Sequence, residues 1–371
     1  MSDDVTGSAT AERGLHGATA AVASFDETDA GLVRRIQGFL HDFPTTIPFI
    51  VLLIGVVIFS FAAPGKFLSP LNLSVVLQQV TIIAILGVAQ TLVILTAGID
   101  LSVGVIMILC TVVMGRTAVV YGVPVYIAFP LGLLAGTACG FVNGLIVTRL
   151  KLPPFIVTLG TWSIFGALNV WYSQSETIRA QDLEQTAPFL QATGTLIKPF
   201  QTLQSWGLQL DFLRGWVLTW GSILMVLVAI VIWYVLTQTP FGRHVYAVGD
   251  DPDAARLSGI SSNKTLLGVY SLAGFICAVA AWAFICRIGG VSPQAGQTSN
   301  LDSITAVVIG GTSLFGGRGS IVGTIIGALI VGVFRNGLAL SGLELLWQDF
   351  AVGVLIIVAV TIDQWIRKIS A

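Results

Sequence analysis

Three groups of residues in this 371-residue chain have the types and spacing to do chemistry. The first is a lone acid. Asp100 is the single Asp or Glu between residues 43 and 175, and it sits in GIDLSVG (98–104), where glycine and polar residues interrupt an apolar run. A carboxylate beside hydrocarbon is costly. Asp100 therefore faces an aqueous cavity as a gate or pathway residue, lies at the interface, or caps a helix beginning at Leu101 with Ser102 beside it. The second group is neutral: Gln78, Gln79, Gln90, Asn143, Trp162, Asn169 and Asn336 all fall inside apolar stretches. Amides match the hydroxyls of a neutral sugar and an aromatic face matches its ring. The same amides also serve helix packing, at about 1 kcal/mol per interhelical bond.

The third group is the polar connection TPFGRHVYAVGDDPDAARLSGISSNK (239–264). Its chemistry describes a short helix, with Asp251 as N-cap, Pro252 at the first helical position, Asp253 at the positive end of the dipole and Gly259 as terminator. The apolar face of that helix holds Ala254, Ala255 and Leu257, with Arg256 to one side, a surface suited to docking. Some chemistry is missing from the sequence. It contains no G-x-x-x-x-G-K-[ST], and GTSLFGGR (311–318) lacks the lysine and hydroxyl that phosphate and magnesium require, so ATP hydrolysis by that route is excluded. His16, His41 and His244 all lie outside the apolar stretches, so they build no proton relay within them. Energy for any transport must come from a partner.

The elements that position these groups are membrane helices. Hydrophobic residues make up 55% of the chain and charged residues 10%, against roughly 25% in a soluble domain, with a mean hydropathy of +0.89. These values exclude a water-soluble globular enzyme. A net charge of −1 gives no reason to expect a nucleic-acid partner, and Cys110, Cys139, Cys277 and Cys286 are spaced as packing residues, not as a disulfide or metal framework. Apolar windows predict an all-α bundle of about ten spans, near 47–63, 73–96, 101–120, 124–148, 154–173, 216–236, 266–286, 301–315, 319–340 and 345–365. Interruptions at 97–104 and 310–320 mark broken or re-entrant helices, tolerated only inside protein or beside a cavity. GIDLSVG and GTSLFGG (311–317) share G-x-x-L-x-x-G, so Gly98, Gly104, Gly311 and Gly317 are candidate hinge or close-packing positions and the pair suggests an inverted repeat. GLLAG (132–136) and GTIIG (323–327) read as helix contacts.

Residues 1–45 form an acidic segment expected to be a largely disordered cytoplasmic tail, followed by a transmembrane domain over 46–371. The first span acts as an uncleaved membrane signal. With both termini inside, ten of the 18 lysines and arginines collect on the cytoplasmic side, seven fall outside and Arg13 lies in the tail, which favours that orientation. The polar loop 174–215, which includes Trp206, then becomes an external cap or surface-lying segment, and 237–265 becomes the cytoplasmic connection.

LTAGIDLSVG (95–104), TPFGRHVYAVG…AARLSGI (239–260) and VIGGTSLFGGRGSIVGTIIGALIVG (308–332) together resemble the permeases of bacterial ABC importers for monosaccharides, over roughly residues 45–365. The ribose, xylose and fructose systems are the nearest. The resemblance implies a multi-pass inner-membrane permease that forms a homodimer. Its implied partners are a cytoplasmic ATPase carrying ATP and magnesium and a periplasmic binding protein delivering sugar, and the permease itself binds no cofactor. Asp253, Ala254, Ala255 and Gly259 match the E-A-A-x-x-x-G coupling element. Asp250 and Asp251 stand where the family usually has Gly-Asn. Asp100 matches an acid typical of the family's AGIDLSVG run. Two rival readings are a branched-chain amino acid or nucleoside permease and an ion-coupled secondary transporter using Asp100 and Asp349. A membrane scaffold is a third, against which the long polar connection argues.

Overall fold

In the computed structural model the described residues are 46–205, Asp211 and 214–370, with side chains omitted at 203, 355, 356, 359, 360 and 362–370. The expected tail at 1–45 and Trp206 lie outside them. All described residues belong to one unit, Pro44–Ala371. Ten apolar helices build it: α1 (Thr46–Ala62), α2 (Pro70–Leu95), α3 (Val103–Val119), α4 (Val125–Leu150), α5 (Pro154–Ser173), α8 (Trp220–Gln238), α11 (Ser262–Ile288), α12 (Ser299–Ile309), α13 (Ile321–Leu340) and α14 (Leu345–Ser370). Six of these, α2, α4, α5, α8, α11 and α13, are long and apolar enough to cross a membrane. The 174–219 segment carries α6 (Ala180–Thr186), a 3-10 turn at Pro188–Gly194 and α7 (Pro199–Ser205). Its Leu196–Ile197 pairs antiparallel with Leu218–Thr219. The polar connection forms α9 (Pro240–Asp250) and α10 (Pro252–Leu257).

One expected span is corrected. Instead of a helix over 301–315, α12 has 11 residues, about 16 Å at 1.5 Å per residue, half the hydrocarbon thickness. It stops because Gly310 and Gly311 close it, with Gly311 N–H donating to Val308 O and Thr312 N–H to Val307 O, and the chain then turns back into α13.

A membrane bundle cannot use an apolar stripe to choose its faces, because lipid is as apolar as the interior. Here small residues choose them. From Val80 to Leu95 every residue of α2 is buried, and α11 packs beside it. In contrast, α1 and α8 turn large side chains such as Phe61, Leu53, Leu227 and Ile230 outward. The most extensive helix pairing joins α4 to α11. A Cβ on Gly136 would meet Gly274 O at 2.6 Å, and one on Gly140 would fall on Tyr270 O. Gly323 and Gly327 give the same close approach of α13 to Gly310 and Ala306 of the α12 segment. Gly132 of the GLLAG pair lies against the Met114 side chain of α3, so the expected contact role of both glycine pairs is met.

At the end of the bundle away from α10, charge ties helices together. Arg335 Nη2 lies 2.7 Å from Asp302 Oδ1 and 3.2 Å from Asp349 Oδ1, joining α12, α13 and α14. Arg116 donates to Ser173 O, to Glu176 at 3.0 Å and to Gln174 Oε1 at 3.1 Å, closing the end of α5 onto α3. Asp349 is thus engaged in an ion pair. Gly140→Ala should destabilise the detergent-solubilised protein by about 1–3 kcal/mol through overpacking against backbone. Gly160→Ala, which meets nothing within 4 Å, should be neutral or gain up to about 1 kcal/mol of helix propensity. Thermal unfolding of both variants checks the contrast.

Candidate functional site

The first break, between α2 and α3, is non-helical backbone buried within the bundle, where each N–H and C=O needs a partner. The end of α2 closes on itself. Ala97 takes the left-handed conformation (φ 58°), its N–H donates to Ile94 O at 2.9 Å, and Gly98 N–H donates to Val93 O at 3.1 Å. This is a Schellman closure with alanine where glycine is usual. Side chains then serve the residues that follow. Thr158 Oγ donates to Ile99 O (3.0 Å) and accepts from Leu101 N–H (3.2 Å). Asn300 Nδ2 donates to Leu101 O at 3.2 Å. The Gln90 amide, oriented to suit both partners, donates to Asp100 O at 3.1 Å and accepts from Asp100 N–H at 3.2 Å.

The Asp100 side chain completes this dressing. Its Oδ1 accepts from Ser102 N–H at 2.7 Å and Ser102 Oγ at 2.6 Å, and Asn143 Nδ2 donates to Ser102 Oγ at 2.8 Å. The helix starts at Val103, not Leu101, and Ser102 occupies the N-cap position without a side-chain cap bond. Asp100 therefore lies two residues ahead of the actual cap position and organises the turn that leads into it. Gln90, Asp100 and Asn143 come together, as a buried cluster that holds a broken backbone.

The second break repeats the closure one residue out of step. At 310–312 the left-handed residue is Gly311 (φ 85°), whereas at the first break it is Ala97, the residue before Gly98. The shared G-x-x-L-x-x-G pattern is thus offset by one in the structure. The loop continues with Ser313 N–H on Arg318 O (2.8 Å) and ends at Ser320, whose Oγ accepts from Gly323 N–H (3.0 Å) to start α13. Of the other two candidate glycines, Gly104 lies against Asn300, where a Cβ would meet its N at 3.1 Å, and Gly317 is left-handed (φ 68°) beside Asp250.

The two breaks meet at α9. Gly317 N–H donates to Leu95 O, the last carbonyl of α2, at 3.0 Å. Gly249 of α9 lies against that carbonyl so closely that a Cβ would fall on the oxygen, and its own carbonyl crowds Gly316. Tyr246 of α9 donates its hydroxyl to Gly319 O at 3.0 Å, and burial pushes its phenol pKa up, so it remains a donor. Helix α9 was not predicted, although Thr239-Pro240 repeats the cap-then-proline signal of Asp251-Pro252; Thr239 Oγ accepts from Gly242 N–H at 3.3 Å.

Next in the chain, α10 has the expected local form. Asp251 Oδ1 accepts from Asp253 N–H (2.9 Å) and Ala254 N–H (3.0 Å), and Gly259 is left-handed (φ 84°). Its expected apolar face divides. Ala255 is buried, Ala254 is exposed and Leu257 is 86% exposed, with Arg256 and Asp253 paired at 3.6 Å in solvent.

The remaining predicted residues are scattered. Asn336 is paired with Asn72, each amide donating to the other's oxygen (2.9 and 3.1 Å), and this pair fastens α13 to α2. Asn169 donates to Pro293 O at 2.8 Å and anchors the segment after α11. Trp162 stands on the outer surface, 47% exposed. Gln78 lines a separate cavity at the opposite end. Thr158, Asn300 and Asn72 were missed, since single hydroxyls and amides carry no spacing signal of their own.

Comparison with known proteins adds relatives. The family described as branched-chain amino acid transport system / permease component matches residues 72–360. A fructose import permease of Rhizobium meliloti is 51% identical over 97% of this chain and 96% of its own length. A ribose import permease of Bacillus subtilis is 40% identical over 87% and 93%, and a xylose transport permease of Haemophilus influenzae is 32% identical over 84% and 93%. No solved structure matches.

If Asp100 acts as an acceptor for the turn, Asp100→Asn should retain folding and Asp100→Leu should lose about 1–3 kcal/mol by stranding Ser102 N–H. Unfolding midpoints of the two variants in one detergent test this, and equal losses would refute it.

Proposed function

This chain belongs to the branched-chain amino acid transport system / permease component family, and from that premise we propose that it is the membrane-spanning permease subunit of an ATP-driven importer for a monosaccharide of the fructose, ribose or xylose class. The observation that carries this reading is the 51% identity over nearly the whole length of a fructose import permease. The ribose and xylose relatives favour a sugar over an amino acid within the broad family. The chain acts as a transport subunit, not as an enzyme. ATP and magnesium belong to a cytoplasmic ATPase, a periplasmic binding protein delivers the sugar, and a second copy of this chain completes the pathway. Both termini and the 237–265 connection lie on the cytoplasmic side, and the 174–215 segment lies outside.

The geometry of the junction supports a mechanical account. Leu257 and Ala254 on α10 meet the ATPase, which closes when it binds ATP. Because α10 follows α9 directly, the movement reaches Gly249, which touches both Leu95 at the end of α2 and the 316–317 turn. Displacing α9 thereby acts on both broken segments at once, and these are the places where the helices can re-orient. The cavity between two permease copies then opens outward, and hydrolysis resets it.

Liposomes containing the chain, its ATPase and its binding protein should take up labelled fructose, ribose or xylose only with both partners and ATP. Uptake by the chain alone on an ion gradient would overturn the reading. Gly249→Val and Leu257→Asp should each cut uptake by about tenfold or more, equivalent to ~1.4 kcal/mol or more of lost coupling, while membrane fractionation shows normal insertion.

A further inference from the structure

The end of the bundle away from α10 holds a cavity of about 120 Å3 between the first half of α2, the last turn of α11 and residues 193–196 and 219–221. On the same measure one water needs about 10–15 Å3, so the space holds several waters or one small polyol. Its walls are fixed by hydroxyls already engaged. Thr81 Oγ donates to Leu77 O at 2.9 Å, Thr219 Oγ bonds Ser222 at 3.0 Å, and Thr193 Oγ donates to Cys286 Sγ at 2.8 Å. Two other lining side chains are not engaged. Among the described residues, neither the Gln78 amide nor the Arg287 guanidinium has a hydrogen-bond or ion-pair partner.

We propose that this cavity is a subsite for a single sugar ring entering the permease, held by Gln78 and Arg287. The inference deepens the importer reading and rests on it. A polyol presents hydroxyls that both donate and accept. Gln78 offers a carbonyl and an NH2, Arg287 offers five N–H donors, and Ile82 and Leu196 supply an apolar wall for the ring's C–H face. Among the described lining residues Arg287 is the one cation and the other polar groups are neutral, so an anion is the competing occupant that the phosphate arm of the test distinguishes.

The test uses the assembled transporter in right-side-out vesicles, with Leu196→Cys introduced in a Cys286→Ser background so that Gln78 and Arg287 stay in place. A membrane-impermeant methanethiosulfonate should label the introduced cysteine from outside, and free ribose or fructose at ten times its half-protecting concentration should slow labelling about tenfold. No labelling from outside, or labelling unaffected by sugar, overturns the subsite. Equal protection by inorganic phosphate or by sugar-free binding protein also overturns it, by making the cavity an anion or partner site. Gln78→Asn and Arg287→Lys serve as conservative controls: reduced sugar uptake with normal insertion in these variants supports the assignment, and unchanged uptake counts against it. Uptake by the unsubstituted assembly is read in parallel. Uptake without protection removes the subsite and leaves the importer reading standing, whereas absence of uptake of any sugar removes the importer reading itself.

Discussion

One backbone hydrogen bond, from Gly317 N–H to Leu95 O, closes the end of α2 and ties the two broken segments to each other. Helices satisfy their own backbone until they end, and the last carbonyls of α2 end within protein, where no bulk water substitutes for a missing donor. Val93 and Ile94 are served by the Schellman turn, and Leu95 is served from a loop more than 200 residues away in sequence. That arrangement needs Gly249, since any side chain there would occupy the space of the Leu95 oxygen. A structural demand of the membrane thus brings the α2 end, the 316–317 turn and α9 to one point.

The same demand explains where the buried polar side chains go. Gln90, Thr158 and Asn300 make hydrogen bonds to consecutive backbone groups of residues 99–101, and Asp100 with Asn143 holds Ser102. A residue that looks like a ligand-binding amide is, in this cluster, a substitute for helical hydrogen bonds. Elsewhere, Gln78 and Arg287, without partners among the described residues, border an open cavity. The two ends of the bundle therefore differ in character. Near α10 the contacts are glycine against backbone. At the far end Arg335 with its two carboxylates and Arg116 with its cap to α5 fix α12, α13, α14 and α5 by charge.

Much of the architecture was legible because a bilayer imposes length and apolarity on any helix that crosses it. All ten predicted windows coincide with an apolar helix, and both interruptions are real breaks. The failures share a cause. The 301–315 window runs past the interruption flagged at 310–320, because Leu314 and Phe315 beyond Gly310 and Gly311 keep its average apolar although the chain has already turned. Ala255 was placed on an exposed face because a six-residue helix has too few positions for periodicity to reveal which side packs.

By itself the sequence determined the membrane class, the apolar helices, the N-cap at Asp251 and, through its long motifs, the permease family. These depend on composition and on residues within a few positions of one another. Tertiary structure alone decided which polar residues act together: Gln90 with Asp100, Asn72 with Asn336, Gly249 with Leu95 and Gly317, and Trp162 with none of them. In a bundle surrounded by lipid, polarity does not report which helix faces which, so the partners of a buried amide are fixed only when small residues let particular backbones approach.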